Sequence, residues 1–151
     1  MKFIFYLGHP AHYHYISHIL PELERRGHSI ILMIRDKDVL VDLTKELNYT
    51  KIYCKDIGSR AFLFRVLTIL KRELILFSIC LKYSPNLLIG TSIEITHIGK
   101  LLRIPSMVIS EDDATEIPLM VKLGYKYATH ILTPNCCSCE PYNAKKIGFN
   151  G

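Results

Sequence analysis

The first groups in the chain able to move a proton or to bond a hydroxyl or a phosphate are the two histidines of Gly8-His9-Pro10-Ala11-His12. A histidine in a loop is more often structural than catalytic, so each needs a partner before it makes a site. Two other stretches supply candidates. Thr91 and Ser92 follow Gly90 and combine hydroxyls with the free amides of a helix start, which suits an anion or a hydroxyl, while Ser92 equally suits a plain N-cap. The run Ser110-Glu111-Asp112-Asp113 offers carboxylates that orient a substrate hydroxyl or a histidine, or that simply solvate a loop. Neither G-x-G-x-x-G nor a Walker A sequence occurs, so a dinucleotide pyrophosphate site and a P-loop are both unsupported.

Seven histidines and the cluster Cys136-Cys137-x-Cys139 raise the question of zinc. His14 and His18 stand four apart on a candidate helix, but no H-E-x-x-H is present and Pro21 disturbs the turn. Only Cys136 and Cys139 have C-x-x-C spacing, and no second pair follows. No metal is expected, and the cysteines read as free thiols in a tail. Five cysteines, an odd number, without a visible export signal point to reduced thiols and a cytoplasmic protein.

The three loops can act together only if the fold brings them to one place. Apolar runs from Phe3 to Leu7 and from Ile30 to Ile34 predict strands buried on both faces. Between them Ile16, Ile19, Leu20 and Leu23 recur at helical spacing, Gly27 suits a C-cap, and Pro21 predicts a kink or an irregular first half between Tyr13 and Leu20. Asp36 to Leu47 predicts a second helix and Lys51 to Cys54 a third strand. A long helix is expected from about Arg60 to Lys82, with Arg65, Thr68, Lys71, Arg72, Ser78 and Lys82 on one wet arc. Glu73 falls outside that arc and reads as an irregularity or a paired surface charge. Leu87 to Ile89, Ser106 to Ile109 and His130 to Leu132 complete the predicted strands, separated by a helix that Ser92 can cap and a helix through Met120 to Tyr127.

Strands alternate with helices throughout. This predicts a Rossmann-like, doubly wound α/β domain with a mainly parallel sheet of about six strands and helices on both faces. Ligands bind such a sheet at the carboxyl ends of its strands where strand order reverses, here between the first and fourth, and there the three loops converge. Residues 1–133 are expected to form the domain, with 134–151 a tail or the start of an interdomain linker.

At 151 residues, 49% hydrophobic and 22% charged, the chain suits one globular domain and excludes disordered or low-complexity classes. Its net charge of +5 mildly favours anionic partners. No basic run exceeds two residues and no aromatic-rich RNA signature accompanies them, so nucleic acid is not expected. The most apolar segment, Ala61 to Leu81, contains Arg65, Lys71, Arg72 and Glu73, and its uncharged run from Leu74 to Leu81 falls well short of the ~18 residues that span a bilayer.

The segment from His12 through Glu22-Leu23-Glu24-Arg25-Arg26-Gly27-His28-Ser29-Ile30 resembles the opening of GT-B glycosyltransferases and of their UDP-N-acetylglucosamine 2-epimerase-like relatives. Those proteins begin with a strand, a histidine-bearing loop, a helix ending in RGH and a second strand. His12 precedes His28 by sixteen positions (28 − 12 = 16), a separation seen in many members. The form HPAHYHYISHILPELERRGHSI looks most like an uncharacterised group in which PAH replaces the glycine-rich loop. Ser84-Pro85-Asn86-Leu87-Leu88-Ile89-Gly90-Thr91-Ser92 is similar to the family's PDvvig strand and loop, with Asn86 for the usual aspartate. Ile104-Pro105-Ser106 resembles its giPsv strand, and Thr133-Pro134 with Phe149-Asn150-Gly151 its passage toward a second domain.

The resemblance covers nearly the whole chain but only the first half of the GT-B architecture, in which this half holds the acceptor and a second domain holds the nucleotide-sugar donor. It implies His12 as base or acceptor-hydroxyl partner, with His9, Thr91, Ser92, Asp112 and Asp113 lining the cleft. Tyr15 stands where many relatives have proline, a departure from the pattern. No cofactor is expected in this chain, the nucleotide-sugar donor belonging to the second domain. The implied partners are a sugar or lipid-linked acceptor and a donor-binding domain or partner chain. A peripheral contact with the inner face of a membrane through Arg65, Lys71, Arg72 and Lys82 is also implied. The expected role is the acceptor-binding half of a transferase in cell-envelope polysaccharide or glycolipid synthesis, inactive alone. The alternatives are the first half of a 2-epimerase-like enzyme and a non-catalytic subunit paired with a separate donor-domain chain.

Overall fold

A computed structural model describes residues 1–36, 39–56 and 62–150. The expected start of the long helix at Arg60, positions 37 and 38 of the expected second helix and the terminal Gly151 lie outside the described residues.

Strand β1 (Lys2–Leu7) leads into α1 (Pro10–Ile16) and α2 (Ile19–Arg25), then β2 (Ser29–Arg35), α3 (Leu40–Thr44) and β3 (Thr50–Cys54). The long α4 (Phe62–Tyr83) precedes β4 (Leu87–Gly90), α5 (Ile93–Leu102) and β5 (Ser106–Ile109). The short α6 (Pro118–Met120) widens into a looser turn over Val121–Tyr125 before β6 (His130–Pro134) and β7 (Lys146–Phe149). All pairings are parallel, in the order β3-β2-β1-β4-β5-β6-β7. Strand order therefore reverses between β1 and β4, as the sequence predicts. Pro21 acts as expected in a particular way: the helical segment divides at Ser17-His18, and the proline sits in the first turn of α2, where its missing donor costs no helical bond.

The two-residue period of β1 sorts its side chains onto the two faces. Phe3, Phe5 and Leu7 pack with Ile16, Leu20 and Leu40 beneath α1 to α3. Ile4 and Tyr6 pack with Leu76, Ile79 and Ile95 beneath α4 and α5. Both faces of the central strands are thus dry, which is why they read as unbroken apolar runs.

Two expectations need correction. The sheet has seven strands, and residues 134–149 are part of the domain: β7 pairs with β6 from Ile131↔Lys146 to Pro134↔Phe149, and Cys139 is fully buried against the core. Lys146-Ile147-Gly148-Phe149 escapes a reading by hydrophobic pattern because it is an edge strand with no fully buried residue. The arc of α4 assigned to water is misassigned in part: Arg65, Ser78 and Lys82 are exposed and Lys71 is half-buried, but the arc is not the only wet face. Thr68 and Arg72 are buried, whereas Leu63, Leu67, Leu70, Leu74 and Leu81 on the other side are exposed. The burial of Arg72 has an electrostatic cause, since it finds two carboxylate partners, the half-buried Asp56 and the buried Glu94, and can leave water. Among the described residues no helix is long and apolar enough to cross a membrane.

Candidate functional site

Tyr6 of β1 stands level with Gly90 of β4. A Cβ at Gly90 would come within 2.7 Å of the Tyr6 carbonyl oxygen, so only glycine allows this close approach. The approach brings the loop after β4 against the loop after β1. His9 adopts extended backbone and caps α1, its Nδ1 accepting from the Ala11 amide at 3.3 Å, and Pro10 opens the helix. His12 follows in the first turn, and the Gly8 amide donates to its Nδ1 at 3.2 Å. An amide can only donate, so Nδ1 is the acceptor and the neutral ring carries its proton on Nε2.

Thr91 Oγ1 lies 2.8 Å from the same Nδ1, across 79 residues of sequence. Its hydroxyl donates to Nδ1, and the same oxygen lies 3.2 Å from Nε2. Burial and then the neighbouring His9 ring push the His12 pKa down to about 4, so the imidazole is neutral at ordinary pH. A cavity of about 210 Å³ opens over this pair, closed by Tyr15, Ile117 and Met120 and by Ser110, Glu111 and Asp112 of the acidic loop. A neutral base, a hydroxyl that can pass a proton to it and a carboxylate rim can hold and polarise a substrate hydroxyl.

The other expected site residues divide. Asp112 lines the cavity. Asp113 turns away, its Oδ1 accepting from the Ser138 amide at 2.7 Å, so it ties the acidic loop to the segment after β6. His9 is an exposed cap at the rim, 5.8 Å from the His12 ring between centroids. Ser92 sits at the N-cap position of α5 without capping it, because its hydroxyl donates to Glu94. It faces an adjoining groove of about 450 Å³ that shares Thr91, Ile117 and Met120 with the His12 cavity and adds Ile69, Arg72 and Leu119 to its walls. Sequence reasoning missed Tyr15 and Met120 as lining residues. Tyr15 was accessible by spacing, three residues after His12 on one helix face; Met120 depends on where the loop after β5 folds back. A third concavity, about 380 Å³ with Lys100, Arg103, Lys126 and Lys145 on its walls, lies by the opposite ends of β5 and β6, remote from His12.

A second polar cluster lies on the α4 side. Arg72 donates to Asp56 at 2.5 Å and to Glu94 at 3.1 Å, and Arg35 donates to Asp56 at 2.8 Å. Burial pushes the Asp56 carboxyl up, but the bonds from Arg35 and Arg72 outweigh it and hold the group below the usual carboxylate range. Glu73 is a paired charge, its Oε1 2.5 Å from His97 Nδ1, while His97 Nε2 reaches the Leu123 carbonyl at 2.8 Å. Among the described residues no group of three metal-ligating side chains comes together, His14, His18 and the cysteines included.

No protein-family model matches the sequence, and no curated protein matches it. Solved structures do. Acinetobacter baumannii MurG superposes with a TM-score of 0.77 at 12% identity, over 99% of this chain and 46% of that one. The UDP-GlcNAc 2-epimerase from Methanocaldococcus jannaschii gives 0.70 at 15%, over 98% and 45%. The lipopolysaccharide outer core galactosyltransferase WaaB gives 0.62 at 13%, over 87% and 39%. The chain has the Rossmann-like fold of the N-terminal half of the GT-B architecture and spans less than half the length of these structures.

Proposed function

We propose that the chain is the acceptor-binding half of a nucleotide-sugar-dependent glycosyltransferase, acting on a sugar or lipid-linked acceptor in cell-envelope polysaccharide or glycolipid synthesis and inactive without a donor-binding domain. One observation carries the reading: a neutral His12 bonded to Thr91 beneath a cavity at the point where strand order reverses. Transfer to an acceptor requires that its hydroxyl lose a proton as the new glycosidic bond forms. In this arrangement the acceptor hydroxyl donates to Thr91 Oγ1, and the Thr91 proton passes to His12 Nδ1. His12 ends protonated and Thr91 ends unchanged. Asp112 and Glu111 hold neighbouring hydroxyls of the acceptor, and Tyr15 and Met120 give its ring an apolar wall.

The test is His12→Ala in the complete enzyme, or in this chain reconstituted with a donor domain. The expected kcat falls by on the order of 10²-fold, as for loss of a general base, with the fold retained. An unchanged kcat returns His12 to a structural role and sinks the reading. A second reading, the first half of a 2-epimerase-like enzyme, draws support from the likeness to the Methanocaldococcus jannaschii structure. Product analysis separates the two: a disaccharide or glycolipid supports transfer, and an inverted free nucleotide sugar supports epimerisation.

A further inference from the structure

The outward face of α4 carries five exposed leucines in register, Leu63, Leu67, Leu70, Leu74 and Leu81, and the half-buried Phe77, which also packs against the core, completes their series. The six follow at intervals of 4, 3, 4, 3 and 4, the a/d spacing of a helix that packs against another helix. Such a stripe ordinarily faces the protein's own core. Here Leu63 is 64% exposed, Leu70 48%, Leu74 69% and Leu81 61%, while Thr68, Arg72, Leu76 and Ile79 on the opposite side are buried. Phe64 and Val66, also exposed, widen it.

We infer that this face is a dimer surface, on which α4 packs against α4 of a second copy of the same chain. The spacing maps onto itself about the level of residue 72. An antiparallel copy on a twofold axis there sets Leu63 against Leu81, Leu67 against Phe77 and Leu70 against Leu74, and each contact recurs by symmetry, as an isologous interface requires. The charged residues flanking the centre do not enter the seam: Lys71 Nζ donates to the Lys55 carbonyl at 3.1 Å, and Glu73 is held by His97. The stripe is about 27 Å long at the rise of an α-helix. It offers on the order of 600 Å² per protomer, so the pair buries about 1,200 Å², the lower edge of the range for specific stable interfaces.

A lipid surface is the competing occupant and fits less well. A helix lying on anionic lipid carries cations along its apolar stripe. Of the four expected on α4, Arg72 is buried in ion pairs and Lys71 is tied to backbone, leaving Arg65 and Lys82 near opposite ends.

The experiment is sedimentation equilibrium of the 151-residue chain at micromolar concentration, independent of any reading of the His12 pocket. The expected mass is twice 17.4 kDa. Leu70→Glu with Leu74→Glu is expected to give a 17.4 kDa monomer with unchanged far-ultraviolet dichroism, and Leu101→Glu, at an exposed leucine of α5, to leave the dimer intact. Leu74→Arg alone gives the same readout should the double variant lose its helical spectrum. A monomeric wild-type chain, or a dimer that survives these variants, overturns the proposal. Flotation with phosphatidylglycerol vesicles adds a further arm: a monomer that floats, and stops floating in the double variant, assigns the face to lipid and also overturns it.

Discussion

Thr91 and Ser92 are neighbours in sequence, yet their hydroxyls serve two different clusters. Thr91 joins His12 under an open cavity, and Ser92 joins Glu94 in the network of Arg72, Asp56 and Arg35. In the second cluster every ionised group has a partner of opposite sign, and only the Tyr6 hydroxyl, buried nearby, has none among the described residues. In the first, a neutral ring and a hydroxyl leave bonding capacity facing space. Polar residues beside a reversal of strand order are therefore not one class: those that satisfy each other hold the fold, and those left incomplete toward a cavity can bind.

The contrast is broken most strongly at Arg72. Arg72→Ala leaves Glu94, itself buried, without its cation, and a buried pair that loses one partner costs ~3–5 kcal/mol. Urea denaturation should show that loss, and a cost under ~1 kcal/mol would mean that the network is dispensable. His12→Ala should do the reverse, lowering kcat of the reconstituted enzyme by on the order of 10²-fold while leaving the denaturation midpoint close to wild type. Thr91→Val tests the relay. It should lower kcat about tenfold or more, with Thr91→Ser close to wild type; equal activity in all three would mean that the acceptor proton reaches His12 directly.

The smallest effect is on pH dependence. His12 has a folded pKa of about 4 against 6.5 for the free side chain. Between those values the unfolded chain binds more protons, so the His12 contribution is fully present above about pH 6.5 and is lost as pH falls toward 4. Asp56 is held below the usual carboxylate range, so its contribution is lost only at more acid pH. Thermal melts from pH 7 to pH 4.5 should fall less steeply for His12→Asn than for wild type. Parallel slopes would show that the ring is not desolvated in solution.

The sequence carried the fold further than the site. Runs such as Phe3 to Leu7 and Ile30 to Ile34 announce strands because both faces are dry, and Gly90 marks the end of β4, where it lies tight against Tyr6 of the paired β1. The outer face of α4 is not legible from charge, because Arg72 is buried through partners 16 and 22 residues away. The split between Asp112 and Asp113 was equally hidden, since it depends on the Ser138 amide and hence on the path of the chain after β6. Periodicity records which side of an element is apolar; it does not record which polar groups find one another across the fold.

The order of the strands also fixes an order of events. β1 is the first strand in this sequence and an interior one in space, with β2 and β3 on one side and β4 to β7 on the other. As the chain leaves the ribosome, the β1–β2–β3 half can close over short loops, but His12 has no Thr91 until β4 arrives, 79 residues later. Long-separation contacts of this kind slow folding. The pocket is therefore a late product of assembly, absent from any nascent chain that has not yet joined its two halves.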